Sequence, residues 1–76
     1  MKSNYKESDA FLLHATKFKE TSLLCVFFSK EFGKVSAVAK GARSKKSKFQ
    51  ALTVPGAIFK IAFSGKNELK TLTSCE

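Results

Sequence analysis

The 76-residue sequence predicts an all-β domain, a closed barrel of five short strands, on three observations. Five segments enriched in apolar and β-branched residues are separated by polar or glycine-containing breaks. No stretch sustains the 3.6-residue apolar period of a helix. Five strands in so short a chain would leave costly open edges in a flat sheet, and closing the sheet on itself removes them.

The first expected strand, residues 10–16, alternates Phe11, Leu13 and Ala15 against Leu12 and His14, which assigns the first set to the core. The break at 17–21 closes it. The second, residues 22–29, reads SLLCVFFS and is apolar on both parities, with Leu23, Cys25 and Phe27 as the inward set. In the turn KEFGK, Gly33 offers a positive φ, and the third strand, residues 34–40, alternates Val35, Ala37 and Ala39 against Ser36, Val38 and Lys40. Such small residues suit a tightly curved wall. Phe49 to Leu52 suit a single helical turn, stopped by Pro55 and Gly56. The fourth strand, residues 57–63, points Phe59, Ile61 and Phe63 one way and Lys60 the other. After the turn SGKNE, the fifth strand, residues 69–74, carries Leu69 and Leu72 on opposite parities, so a bulge is expected there. The expected core is Phe11, Leu13, Leu23, Cys25, Phe27, Val35, Phe59 and Ile61.

These elements match a five-stranded OB-fold barrel, in which a longer connection with a short helical turn joins strands 3 and 4; residues 41–55 fill that place. Residues 1–76 then form a single domain, of a size that buries only about 60% of its unfolded surface and leaves little room for a deep cleft beside the core.

Charge is distributed unevenly. The formal net charge is +8, and between Phe32 and Asn67 stand eight basic residues and no acid, so the remainder of the chain is neutral. Five of the eight fall in KGARSKKSK: Lys40, Arg43, Lys45, Lys46 and Lys48. Cations packed this closely repel one another unless solvent or a polyanion neutralises them. A solvated loop that keeps the protein soluble is one reading; a phosphate-binding surface is the other.

Several function classes find no support in the residues. The single His14 lies within a strand with no acid at catalytic spacing, and the scattered acids form no calcium-loop pattern, so no enzyme and no cofactor are expected. Cys25 and Cys75 stand far apart without a paired ligand, which signals free thiols rather than zinc. The apolar run at residues 10–13 is too short for a signal peptide and no membrane span occurs, so the expectation is cytoplasmic residence with no membrane and no small-molecule substrate.

Nucleic-acid binding on a barrel of this kind needs cations to meet phosphates and aromatic faces to stack on bases. The candidates are Lys40, Arg43, Lys45, Lys46 and Lys48, with Lys34 and Lys66 at turns extending the track. Arg43 alone offers a planar fork. Phe18, between Lys17 and Lys19 in the first loop, is either a stacking platform or a core cap at the barrel end. The competing class is a protein-interaction adaptor whose basic surface meets an acidic protein or peptide.

Two stretches carry a family resemblance. FLLHATKFKETSLLCVFFSKEFGK leads an aromatic and a polar loop into an apolar strand and a glycine turn, and VAKGARSKKSKF holds the more specific AKGARSKKS core. With SGKNELKTL they resemble the N-terminal OB-fold of the RecO family of bacterial recombination mediators, over most of the chain. The family's usual Arg-Pro pair before the aromatic is replaced by Thr16 and Lys17. The resemblance implies recombinational DNA repair. It implies binding of single- and double-stranded DNA, strand annealing, and recombinase loading with a RecR-like partner on strands coated by single-stranded-DNA-binding protein. It also implies a helical C-terminal domain that this chain does not include.

Overall fold

In the computed structural model, residues 5–43, 49 and 56–76 are described. Five strands, β1 (Lys6–Phe18), β2 (Ser22–Ser29), β3 (Gly33–Ala39), β4 (Ile58–Ser64) and β5 (Leu69–Cys75), close into a barrel in the order β1-β2-β3-β5-β4. All neighbours are antiparallel except β3 and β5, which run parallel through the pairs Ser36–Leu69, Ala37–Lys70 and Val38–Thr71. The expected OB-fold barrel is therefore present. The helical turn expected at 49–52 lies outside the described residues apart from Phe49, which is buried in a turn and packs with Ala42 into the core.

Alternation assigns most inward residues correctly. Cys25 and Phe27 of β2, Val35, Ala37 and Ala39 of β3, and Phe59, Ile61 and Phe63 of β4 form one buried cluster, with Leu23 half-buried against it. In β1 the alternation is inverted. Ala10 and Leu12 are buried, whereas Phe11 and Leu13 are 41% and 40% exposed and do not belong to the core. The cause is a bulge: Leu12 pairs with Phe27 and His14 with Val26, which leaves Leu13 unpaired and switches the inward parity so that Ala15 also meets the core. A run apolar at 10, 11, 12 and 13 satisfies either parity, and only the longer strand, beginning at Lys6 with Ser8 buried, selects the even one. Phe11 instead faces outward between its cross-strand partners Phe28 and Ile58, both also exposed.

The bulge of the fifth strand does not fall between Leu69 and Leu72, where it was expected, but beyond both. Ala62 pairs with Ser74 and Phe63 with Leu72, so Thr73 is the extra residue, and Leu69 is simply exposed. The turn between β2 and β3 is fixed by Ser29, whose buried hydroxyl donates to the Gly33 carbonyl at 2.9 Å and accepts from the Phe32 N–H at 2.9 Å. Gly33 and Gly41 have φ of 69° and 70°; a Cβ at either would meet nothing within 4 Å, so it is the backbone conformation and not space that calls for glycine.

Both cysteines are free, and burial pushes each thiol up to about 11 from 9.0. The folded state thus keeps thiol protons that the unfolded chain begins to release near pH 9. Their contribution to stability is complete below that pH and is lost as pH rises towards about 11. Thermal midpoints of the wild type and Cys25→Ala should therefore converge over that interval; a constant gap between them from pH 8 upward would contradict the assignment of Cys25 to a dry site.

The inverted parity of β1 has a direct test in chemical denaturation. Leu12→Ala should cost about 2–5 kcal/mol, as truncations in a closed core do, while Leu13→Ala should cost under about 1 kcal/mol. The reverse order would restore Leu13 to the core.

Candidate nucleic-acid interface

The pleat of β3 decides where the site forms. Its small odd-numbered residues are needed inside, so Lys34, Ser36, Val38 and the following Lys40 point outward along the seam with β5. At about 3.3 Å per residue, Lys34 and Lys40 are separated by roughly 20 Å of one continuous outer wall. Val38 is buried yet stands apart from the core cluster, lining a groove on that wall.

Two grooves flank this wall. The first, about 640 Å³, is rimmed by the cations Lys6, Lys34, Lys66 and Lys70 with Phe32 and the acid Glu68. The second, about 510 Å³, is bordered by Phe18, Lys19, Lys40, Gly41, Lys70 and Thr71, and among the described residues no acid lines it. Lys70 borders both, its ammonium donating to the Gly65 carbonyl at 3.1 Å, so the grooves adjoin along the β3–β5 seam. Each contains one partly exposed aromatic ring beside an ammonium. Lys6 Nζ lies 5.9 Å from the centre of the Phe32 ring, and Lys19 Nζ lies 5.5 Å from that of Phe18. Phe32 is held edge-on by Phe63 at 5.8 Å, which fixes the ring while leaving it 42% exposed. The chemistry offered is a cationic trough with two ring faces, suited to phosphates and planar bases.

Lys34 and Lys66 of the sequence-derived candidates meet in the first groove, and Lys40 and Phe18 in the second. Phe18 is not in a loop as expected; it is the last residue of β1, paired with Ser22, and half-buried at the groove wall. Arg43 is exposed but occupied, its Nη2 donating to the carbonyls of Lys19, at 2.9 Å, and Glu20. Lys45, Lys46 and Lys48 lie outside the described residues. Sequence reasoning missed Lys6, Lys19, Lys70 and Phe32. Lys6 falls before the expected first strand, and Lys19 and Lys70 stand outside the densest charge cluster. Phe32 sits beside Gly33 in a turn, where an aromatic with polar neighbours was the available signal.

Among the described residues no group of His, Cys, Asp and Glu could hold a metal ion, and no helix is long and apolar enough to cross a membrane. The family model described as Recombination protein O N terminal matches residues 1–76. The chain is 46% identical over 66 residues to DNA repair protein RecO of Actinobacillus pleuropneumoniae serotype 5b, an alignment covering 87% of this chain and 28% of the relative. It is 39% identical over 71 residues to that of Laribacter hongkongensis, covering 93% and 29%. With the RecO protein of Sodalis glossinidius the identity is 45% over 67 residues, covering 88% and 26%. The chain thus spans less than a third of the length of the relatives it matches. It belongs to the RecO N-terminal domain family.

Proposed function

We propose that this domain is a DNA-binding module of a recombinational repair protein and that a single strand runs along the β3–β5 seam. The observation that carries the reading is the pair of adjoining grooves, lined by six lysines, two partly exposed aromatic rings and a single acid. Phosphates meet the ammonium groups and bases rest on Phe18 and Phe32, an arrangement that holds a strand without reading its sequence. Lys45, Lys46 and Lys48 contribute further phosphate contacts in this reading, and duplex DNA engages the same cations through its backbone. In the full-length relatives' setting the domain serves strand annealing and recombinase loading, with a RecR-like partner and single-stranded-DNA-binding protein; membership of the family supports this wider role.

Binding to labelled oligonucleotides at several salt concentrations tests the reading. Each phosphate contact on a single strand contributes about 0.7 to the slope of log K against log salt, so the double variant Lys34→Glu/Lys40→Glu should weaken binding to every sequence alike and flatten the slope by about 1.4. If the basic wall serves an acidic protein instead, wild type and double variant bind the oligonucleotide equally feebly at moderate salt, and the double variant loses the binding to an acidic peptide that the wild type shows.

Stacking is read separately from charge. Phe18→Ala and Phe32→Ala should each lower single-strand affinity by about 1–3 kcal/mol with the salt slope unchanged. A loss of stability with intact affinity would make these rings structural.

A further inference from the structure

Of the described residues of the basic cluster, Lys40 and Arg43, it is Arg43 whose side chain is committed to the protein itself. Gly41, at φ 70°, turns the chain out of β3, and Arg43 then lies against the β1–β2 turn. Its backbone N–H donates to the Thr21 carbonyl at 2.9 Å, and its Nη2 donates to the carbonyls of Lys19, at 2.9 Å, and Glu20. All three carbonyls of the turn are therefore held by one residue. The turn needs such support, because Lys19 has φ 56°, a left-handed conformation that a residue with a side chain adopts only when its surroundings impose it. The same turn aims the site: Phe18 immediately precedes it, Lys19 reaches over the Phe18 ring, and Phe18, Lys19, Thr21 and Ser22 build one wall of the second groove.

We propose that Arg43 is a positioning residue for this groove: it holds Phe18 and Lys19 in place for a base and its phosphate, with its own guanidinium engaged by carbonyls rather than by DNA. The inference rests on the DNA-binding reading and adds a role that charge counting misses. Lysine is no substitute, since its ammonium ends one atom short of Nη2 and is more strongly hydrated.

The test uses the 76-residue chain with Arg43→Ala and Arg43→Lys, each checked for an unchanged fold by its thermal midpoint. Without DNA, exchange of the residue-43 amide proton should quicken about tenfold in both variants, the low end of what a charged hydrogen bond contributes. With labelled oligothymidylate, both variants should lose affinity to a similar extent, and Phe18→Ala/Arg43→Ala should lose less than the two single losses combined. The proposal is overturned by unchanged amide exchange in both variants, by Arg43→Lys binding as tightly as wild type, or by strictly additive losses with Phe18→Ala; the last two are what a direct phosphate contact produces. Failure of the wild type to bind oligothymidylate at all would overturn the DNA-binding reading, and amide exchange would then decide alone whether Arg43 holds the turn.

Discussion

The parallel pairing of β3 with β5 is the constraint on which the rest of the molecule depends. It consists of three residue pairs, Ser36–Leu69, Ala37–Lys70 and Val38–Thr71, and without it the sheet would end in two open edges. The pairing demands a β3 that is slim on its inner side, which Val35, Ala37 and Ala39 supply, and it lets the wall curve around Phe27, Leu12 and Ile61 at the centre of the core. Closure then fixes the geometry of the cationic surface as a by-product. Alternation sends Lys34 and Lys40 outward, and the register of β5 brings Lys70 beside them, so cations distant in sequence share one surface.

The two sides of the barrel differ in character. Around the β3–β5 seam the outer surface is cationic with two partly exposed rings. Around β1, which lies between β2 and β4, Phe11 meets Phe28 and Ile58 in an outward apolar row, with Ile58 74% and Phe28 58% exposed. The outward apolar row and the cationic grooves thus lie on separate walls, although Leu69, 44% exposed, lines the second groove.

Much of this is legible in the sequence. Strand number, the inward sets of β3 and β4, and the glycine at 33 follow from alternation and turn chemistry alone, because each of those segments favours one parity or one conformation. The β1 assignment failed where local pattern is silent: FLL is apolar on both faces, and the deciding residues, Ser8 and the bulged Leu13, draw their meaning from pairing with distant strands. The site divides in the same way. Lys34, Lys40, Lys66 and Phe18 stand out by charge density or by an aromatic between lysines, whereas Lys6 and Lys70 join the grooves only through barrel closure. Arg43 shows the limit most clearly, since a count of charges treats it as one more cation while its hydrogen bonds tie two loops together.

The central claim, that the β3–β5 seam is the DNA-contacting wall, is tested most directly by following backbone amide resonances of the isotope-labelled chain during titration with an unlabelled single strand. The account predicts that shifts concentrate at Lys34, Ser36, Val38, Lys40, Lys70 and Thr71 and in the turns that carry Lys19 and Lys66. Shifts confined to Phe11, Phe28 and Ile58, with the seam unmoved at saturation, would contradict it.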